Sequence, residues 1–463
     1  MTSHKENEAW KEASVAEDRN FRPTKGNGGR RKAPFYKVMT GMPIAVDAFR
    51  YGTIPGVTAY FLTHAHSDHY TNLGSNWKSG PIYCSEATAN LIKHMLRVDP
   101  KWVHPLPMDT PVTIPNTGGV QVTLIEANHC PGSCLFLFEG FQTVDAGDST
   151  YKSKFVGTKR IFRYLHCGDF RASPAHVLHP AVEGKPIDCV YLDTTYLDPR
   201  YCFPPQPQVI SACAELAKRI VSGSPLNENA DGKTRPVTGW FTRKTEPKEQ
   251  SNGAAKGKTL VVVGTYSIGK ERIVKAIAKE LQTKIYCDAR KAAILRCESD
   301  PELHAMLTND PFAAGVHLVP LGVIASDKLK VYMERWKGRF SKIVGFRPTG
   351  WTYSQPSGSD PLPSISAVIS RSQQRTFTYS NLTPMKNSTT NLQVYGVPYS
   401  EHSSFFELTC FALSFDWVRM IATVNVGSES SRGKMAKWVE KWEAERKRRG
   451  KIEVVSHRAP DYW

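Results

Sequence analysis

A six-residue segment starting at His64 contains three histidines and one aspartate. The apolar and β-branched residues Tyr60–Thr63 before it predict a strand that ends at His64. Because residues two apart in an extended chain point to the same side, His64 and His66 can aim both imidazoles at one point. Asp68 and His69 follow where the chain turns, and can aim at a neighbouring point. Imidazoles and carboxylates are good ligands for Zn²⁺ and Mn²⁺, so this segment predicts a metal site.

Three further candidate ligands each follow a strand-like run and lie beside glycine, proline or serine. They are His129, Asp169 and His402. A lone histidine or aspartate is more often a structural residue than a ligand. The context that the three share favours a common site with the His64 segment.

The elements that must position these residues are short apolar runs and amphipathic stretches. Strands are predicted over Ala59–Thr63, Val120–Ala127, Leu135–Phe138, Tyr164–His166 and Val190–Leu192. Helical spacing of apolar residues predicts helices over Ser85–Leu96, Pro207–Ser222, Lys270–Leu281 and Lys434–Arg449. Mixed strands and helices indicate an α/β protein.

Length and charge limit the functional classes. The 463 residues suffice for two or three domain-sized units, and 60 Lys and Arg against 43 Asp and Glu give a formal net charge of +17. That surplus favours an anionic partner such as nucleic acid. No apolar run of about 18 residues is present, so we expect no membrane span. We interpret residues 1–33, which are charged and glycine-rich, as a disordered basic tail.

Taken together, the motifs resemble a known family. His-x-His-x-Asp-His, Asn-His-Cys-Pro-Gly and Gly-Asp-Phe-Arg, at His64–His69, Asn128–Gly132 and Gly168–Arg171, resemble the metallo-β-lactamase fold. Asp193 resembles the acidic motif that opens the β-CASP nucleases, and His402 matches their later histidine motif. The chain is most similar to the DNA interstrand cross-link repair 5′-exonucleases, the group that includes Artemis and Apollo, in the runs Thr259–Arg272, Gly345–Thr352 and Val397–Phe405.

The resemblance implies an α/β fold in which a metallo-β-lactamase αββα sandwich is interrupted by a β-CASP α/β cap domain. The two parts of the sandwich are then expected over 34–197 and 346–463, and the cap over 198–345. Polar, low-complexity stretches at about 227–258 and about 353–391 are interpreted as surface insertions.

The resemblance also implies roles for single residues. The first metal ion would be held by His64, His66, His129 and Asp169, and the second by Asp68, His69, Asp169 and His402. Asp169 would bridge the two. Asp47 would hold a ligand histidine, as the free N–H of a ligating imidazole requires, and Asp193 would orient a ligand or assist proton transfer. The expected catalytic residues are Asp68, Asp169, Asp193 and His402. The expected cofactor is one or two zinc ions, with Mn²⁺ or Mg²⁺ as alternatives in the second site.

A second segment of interest joins a hydrophobic strand to a helix through small and hydroxyl residues. Backbone N–H groups at a helix start favour phosphate, and Thr265, Ser267 and Lys270 could add contacts. An ordinary helix cap explains the pattern equally well. In the resembling family, this segment and the Ser403-Ser404 turn lie near a pocket for the substrate's 5′-phosphate.

The resemblance implies a nuclear, monomeric 5′→3′ DNA exonuclease. It would release 5′-mononucleotides from DNA with a 5′-phosphate end, in interstrand cross-link and double-strand break repair. Its expected partners are other DNA-repair proteins, and no association with a membrane is expected. One alternative is an RNA-processing β-CASP nuclease, although RNA-directed members usually carry His where this chain has Val424. Another is a non-catalytic DNA-binding scaffold, which the complete ligand set disfavours. A small-molecule hydrolase is disfavoured by the charge and by the extra 200–345 region.

Overall fold

The computed structural model describes residues 3–17, 31–226, 258–336, 338–353, 360 and 362–463. Its strands are β1 Ile44–Val46, β2 Ala59–Phe61, β3 Ile82–Ser85, β4 Val103–Leu106, β5 Val112–Thr113, β6 Gln121–Glu126, β7 Cys134–Phe141, β8 Ile161–His166, β9 Cys189–Leu192, β10 Lys258–Thr265, β11 Lys284–Tyr286, β12 Leu307–Thr308, β13 Ala314–Pro320, β14 Phe340–Pro348, β15 Leu392–Val397 and β16 Met420–Ala422. Its helices are α1 Ser3–Glu17, α2 Glu86–Leu96, α3 Pro174–Val177, α4 Gln206–Ser222, α5 Glu271–Glu280, α6 Ala289–Leu295, α7 Pro301–Met306, α8 Ser326–Glu334, α9 Ile365–Gln374, α10 Phe405–Leu413 and α11 Glu429–Arg449.

Two sheets form a sandwich that carries most of the predicted ligands. One has the strand order β1-β2-β3-β4, with all pairs parallel, and the other β16-β9-β8-β7-β6-β5. Side chains alternate between the two faces of a strand. Val46 and Phe61 therefore pack between the sheets with Phe136 and Leu165. Tyr60, on the opposite face, packs in a second core with α2.

Helices cover the outer faces of the sandwich. Helix α2 packs on the first sheet, with its N-terminus capped by the Ser85 hydroxyl. Helices α10 and α11 pack against the other sheet, where Phe405, Trp438 and Trp442 share a core with its strands. This is the predicted αββα arrangement.

A third sheet, entirely parallel, forms a separate layer with the order β12-β11-β13-β10-β14-β15. Both of its faces are buried, as parallel sheets require. Val261 and Val263 of β10 pack against α4 and α5, whereas Leu260 and Val262 pack against α8.

The limits of the predicted cap remain predictions, but the sheet runs past residue 345. Strand β14 continues from Phe340 to Pro348, and β15 pairs with it in the same sheet. The stretch interpreted as an insertion at 353–391 is partly helical. It contributes Val368 of α9 to the sandwich core and Leu382 to the core beneath the third sheet. The insertion expected over 227–258 lies outside the described residues as far as 257.

The expectation of a disordered tail is wrong for residues 3–17, which form α1. Ala9, Ala13 and Ala16 are buried along one side of this helix, and Trp10 packs edge-on against Phe35. The three alanines gave little apolar signal among the charged residues of this segment. The helix is stabilised by packing against the sandwich. Residues 18–30 are not described.

The predicted strands and helices are otherwise confirmed, with shifts of a few residues at their ends. The largest shift is in the last helix, which begins at Glu429 rather than Lys434. Within the described ranges, no helix combines the length and the apolarity that crossing a membrane requires.

Candidate metal centre

The metal-ligand candidates lie in loops that follow strands of all three sheets. Asp47 follows β1 and donates its N–H to the Phe61 carbonyl of the neighbouring β2 (2.9 Å). Its carboxylate accepts hydrogen bonds from the backbone N–H and the hydroxyl of Thr63, at 2.9 and 2.8 Å. The loop that begins with His64 is thus fixed to the adjacent strand end.

The loop after β8 needs a glycine to deliver Asp169. Gly168 has a φ of +57°, and a Cβ there would come within 2.7 Å of the Thr63 side chain. Only glycine meets both conditions without strain. The close approach brings Asp169 against the His64 loop.

One oxygen of Asp169 lies at the centre of four imidazoles. Its Oδ2 is 3.2 Å from His69 Nε2, 3.7 Å from His64 Nε2, 3.9 Å from His402 Nε2 and 4.0 Å from His129 Nε2. The predicted bridging residue and the predicted histidines therefore converge, although they come from four separate loops. Asp169 is 6% exposed.

The first group of histidines is oriented by uncharged partners. The His129 Nδ1–H donates to the Glu401 carbonyl (2.8 Å), and the His66 Nε2–H donates to the Ile268 carbonyl (3.3 Å). The Thr63 hydroxyl, which already donates to Asp47, can only accept from the Nδ1–H of His64 (3.0 Å). Each ring thereby turns its unprotonated nitrogen to the common centre.

The second group is oriented by buried carboxylates. The His69 Nδ1–H donates to Asp47 (2.7 Å), and the His402 Nδ1–H donates to Asp193 (2.9 Å). The other oxygen of Asp193 accepts from the N–H and the hydroxyl of Thr195, at 2.9 and 2.6 Å. Because its oxygens already have partners, Asp193 acts on His402 rather than facing the centre itself.

The two groups differ in pKa. Burial lowers the pKa of His64 and His129 well below the usual value, and neighbouring imidazoles add to this effect. Burial acts in the same direction on His69 and His402, but carboxylates outweigh it. Asp169 and Asp47 raise the pKa of His69 well above the usual value, and Asp193 and Asp169 raise the pKa of His402 to about 9.

The donor set fits a metal. His129 Nε2 and His66 Nδ1 are 3.1 Å apart, and the carbonyl bonds of both rings leave two unprotonated nitrogens facing each other. Two lone pairs at that distance repel unless a cation lies near both. The buried Nε2 of His64 has no hydrogen-bond partner. Ligand atoms also converge within 4.8 Å in the sets His64-His69-Asp169 and His129-Asp169-His402.

Asp68 and Cys130 depart from the predicted set. Asp68 borders the cleft, but its side chain is 76% exposed and its Oδ2 is 3.6 Å from His69 Nε2. It belongs to none of the convergent sets found among the described residues. Cys130, which the sequence did not single out, lies with His64, His66 and His129 in one such set. Burial raises the pKa of its thiol well above the usual value.

A cleft of about 560 Å³ opens over the centre, between the sandwich and the third sheet. Its sandwich side is formed by Asp68, His69 and Asp169. Its other side carries Tyr266, Ser267 and Lys270 from the β10–α5 turn, together with Thr349 and Gly350 after β14. A site between two layers of the fold is a common place for ligands.

The helix start that was considered for phosphate is already occupied by a carboxylate of the protein, that of Glu401. The Lys270 N–H donates to Glu401 Oε1 (2.6 Å), and Lys270 Nζ is 3.4 Å from Glu401 Oε2. Gly269 permits the approach, since a Cβ there would come within 2.7 Å of that oxygen. These contacts favour the alternative of an ordinary capped helix over a phosphate site. Lys270 and Ser267 nevertheless border the cleft.

The other predicted phosphate contacts face away from the cleft. The Ser403 hydroxyl donates to the Phe170 carbonyl (2.8 Å), and the Ser404 hydroxyl caps α10 by accepting from the Glu407 N–H (3.2 Å). Thr265 is buried, and its hydroxyl has no partner. These three residues do not border the cleft, so we do not retain them as phosphate contacts.

The sequence also missed two positioning residues. Glu401 links the centre to α5, because its carbonyl holds His129 while its carboxylate caps the helix. Buried Arg171 joins Glu407 (2.9 Å), the Ser400 carbonyl (2.7 Å) and the Pro204 carbonyl (2.8 Å), and so ties three loops together. Their only signal was adjacency, since each lies one or two residues from a predicted ligand.

Comparison with known proteins agrees with this fold. A "Beta-lactamase superfamily domain" matches residues 40–222, and "DNA repair metallo-beta-lactamase" matches residues 301–428. The chain is 41% identical to the DNA cross-link repair protein pso2/snm1 of Schizosaccharomyces pombe, over 93% of this chain and 68% of that protein. It is 36% identical to the DNA cross-link repair protein SNM1 of Arabidopsis thaliana, over 96% and 76%.

A third relative is named for an activity. The chain is 29% identical to the 5′ exonuclease Apollo of Gallus gallus, over 84% of this chain and 63% of that protein. The predicted fold class is confirmed: a metallo-β-lactamase sandwich carries an α/β cap. The chain belongs to the metallo-β-lactamase family of DNA cross-link repair proteins.

Proposed function

We propose that this protein is a metal-dependent 5′→3′ DNA exonuclease that releases 5′-mononucleotides during interstrand cross-link and double-strand break repair. The observation that carries the proposal is the centre itself. Four imidazole nitrogens surround Asp169 Oδ2, and each ring is held by a hydrogen bond on its other side. The relatives' names, DNA cross-link repair protein and 5′ exonuclease, supply the substrate class.

Each side chain has a defined task in this proposal. One ion would be held by His64, His66, His129 and Asp169, and a second ion would be held by Asp68, His69, Asp169 and His402. When bound, the ions supply Lewis acidity to a phosphodiester and make water a better nucleophile near neutral pH. Asp47 and Asp193 orient the rings of His69 and His402, and so would set the position of the ion that these rings hold. Asp193 is a positioning residue here.

The cap side of the cleft recognises the DNA end. Lys270 and Ser267 lie there with Tyr266, whose ring is 4.8 Å from the Lys270 ammonium. A cation and a hydroxyl on one wall suit a terminal 5′-phosphate. Val424, the position that separates DNA-directed from RNA-directed relatives, also borders the cleft and favours DNA.

We also propose a metal cofactor, a cellular location, partners and an oligomeric state for this activity. Zinc is proposed for the imidazole-rich first set, with Zn²⁺, Mn²⁺ or Mg²⁺ in the second. A nuclear location and other DNA-repair proteins as partners are proposed because the named relatives are DNA-repair proteins. We further propose that the protein acts as a monomer.

The test is digestion of end-labelled DNA and RNA of one sequence, each with a 5′-phosphate or a 5′-hydroxyl. We expect mononucleotides released from the 5′ end, faster from DNA than from RNA, and faster with the phosphate. Lys270→Gln should reduce the preference for 5′-phosphate. The matched control, Lys279→Gln, changes an exposed lysine of α5, the helix that begins directly after Lys270, and should leave the preference intact.

The outcomes separate the alternatives. Faster cleavage of RNA would overturn the DNA assignment in favour of an RNA-processing nuclease. If fully metal-loaded protein binds DNA but does not cleave it, the alternative of a non-catalytic DNA-binding scaffold is supported. Equal rates on 5′-phosphate and 5′-hydroxyl DNA would exclude Lys270 and Ser267 as contacts for the 5′-phosphate, but would not contradict the nuclease activity.

A further inference from the structure

A buried lysine of the cap contacts the turn that forms one side of the cleft. Lys291 lies in the first turn of α6, and its backbone N–H donates to the side chain of Asp288, which caps this helix (2.8 Å). The residue is 8% exposed, and it is not among the residues that border the cleft. Any effect of Lys291 on a substrate must therefore pass through the residues that it holds.

The ammonium of Lys291 has a partner for each of its three N–H donors. Nζ donates to the Ser267 carbonyl (2.8 Å), to the Tyr266 carbonyl (3.2 Å) and to Glu271 Oε1 (3.0 Å). The two carbonyls lie just beyond the end of β10, where its pairing with β13 stops, and the carboxylate is in the first turn of α5. One side chain thus spans the β10–α5 turn, residues 266–270.

The backbone of this turn has a conformation that depends on its surroundings. Gly269 has a φ of +98° and Lys270 a φ of +72°. A positive φ is uncommon for a lysine and persists where other contacts fix it. Glu401 supplies one such contact, because its carboxylate accepts from the Lys270 N–H (2.6 Å). Lys291 supplies the opposite one, so that a buried cation holds carbonyl groups of the turn and a buried anion holds an N–H group.

The same turn links the cleft to the metal centre. Tyr266, Ser267 and Lys270 border the cleft. Between them, the Ile268 carbonyl accepts from the Nε2–H of His66 (3.3 Å), a predicted ligand of the first ion. A shift of the turn would therefore displace the proposed phosphate contacts and release one imidazole of the metal centre.

We propose that Lys291 is a positioning residue that fixes the β10–α5 turn for the DNA end and for the metal centre, an inference that rests on the nuclease function proposed above. By holding two successive carbonyls, it sets the direction in which Ser267 and Lys270 face the cleft. It also keeps the Ile268 carbonyl in place for His66. An ammonium suits this task, because its three donors rotate to meet acceptors in different directions, whereas those of a guanidinium lie in one plane.

Three variants separate this role from a general effect on folding. Lys291→Met removes the ammonium and keeps a side chain of similar length, but it also leaves the Glu271 carboxylate buried without its partner, which destabilises a fold. Lys291→Met combined with Glu271→Met removes both charges, so the melting temperature should return towards that of the wild type while the carbonyls remain unheld. Lys284→Met is the matched control, because this cap lysine also donates to a backbone carbonyl, that of Ala305 (2.8 Å), and lies outside the cleft.

The main measurement is the ratio of kcat/KM on 5′-phosphate DNA to kcat/KM on 5′-hydroxyl DNA. We expect this ratio to fall about tenfold or more in both proteins that carry Lys291→Met, because a displacement of about 1 Å in a positioning contact has effects of that order. The second measurement is the affinity for Zn²⁺ in competition with a chelator. It should fall about tenfold in the same two proteins, since His66 loses a fixed hydrogen-bond partner. Lys284→Met should match the wild type in both.

The double variant decides between positioning and stability. Positioning is supported if this protein regains the melting temperature of the wild type without regaining the phosphate preference and the affinity for Zn²⁺. The proposal is overturned if folded Lys291→Met matches the wild type in both measurements, or if both return together with the melting temperature in the double variant. If the wild type cleaves no DNA, or cleaves both 5′ ends equally, the proposed nuclease or its phosphate contacts fail, and the affinity for Zn²⁺ alone decides whether Lys291 positions the turn.

Discussion

The two halves of the metal centre are built from the same side chain but oriented by different groups. His64, His66 and His129 donate to a hydroxyl or to backbone carbonyls, whereas His69 and His402 donate to buried carboxylates. In the first half the pKa of each ring is lowered, so the ring is ready to accept a metal at neutral pH. In the second half carboxylates raise the pKa, so a metal must displace a proton. The two ions proposed for this centre should therefore differ in affinity and in pH dependence.

The largest expected effect comes from the residue that both halves share. Asp169→Asn should reduce cleavage of end-labelled DNA to background and lower the bound metal measured by mass spectrometry, because Asp169 Oδ2 faces four imidazoles. Asp68→Ala should also abolish cleavage if this exposed residue completes the second set. Full activity in well-folded Asp169→Asn would rule out the assigned centre, and full activity in Asp68→Ala would remove only Asp68.

A smaller effect is expected from the groups that orient the second half. Asp193→Asn should lower activity about 10- to 100-fold, as loss of a residue that holds a ligand does. The protein should keep the ion of the first half, whose rings do not contact Asp193. Metal content and kcat of the same preparation decide this. If both ions are lost together, the two halves are not independent and the contrast between them fails.

The contrast also predicts how metal-free protein responds to pH. The raised pKa of His402, about 9, adds stability that is complete below pH 6.5 and is lost as the pH rises to about 9. The lowered pKa of His64 and His129 acts oppositely, because stability falls as the pH drops below 6.5. Melting temperatures of chelator-treated protein should fall on both sides of that value. Asp193→Asn should make the fall on the alkaline side less steep and leave the acid side unchanged. Part of the alkaline fall remains, because the pKa of His69 is raised as well. An unchanged alkaline side would refute the role given to His402.

The smallest effect is expected away from the centre. Ser404→Ala removes the cap of α10 and should cost about 1 kcal/mol of unfolding free energy. Its preference for 5′-phosphate over 5′-hydroxyl ends should equal that of the wild type, because its hydroxyl does not face the cleft. A selective loss of that preference, measured on the two substrates, would restore Ser404 as a phosphate contact.

The convergence of the predicted histidines could be expected from the sequence, because each of their loops follows a strand. Strand ends are recognisable from apolar runs, and the parallel pairing of β1 with β2 places Asp47 beside the loop that begins at His64. The sequence could not distinguish phosphate contacts from residues that stabilise the fold. Small hydroxyl residues after a strand serve a helix cap, a buried turn or a ligand equally well, and Ser403 and Ser404 turned out to serve the fold. Helix α1 was missed because its apolar side is made mostly of alanines.

Residue types and their spacing indicated which residues can bind metal, that these residues follow strands, and that an anionic partner suits the charge. The nitrogen of each histidine that faces the centre could be assigned only from the folded chain, because it depends on partners distant in the sequence such as Glu401 and Asp193. The fold also places the Glu401 carboxylate at the helix start considered for phosphate. Spacing along a chain gives direction within an element, whereas contacts between loops arise only when the sheets pack.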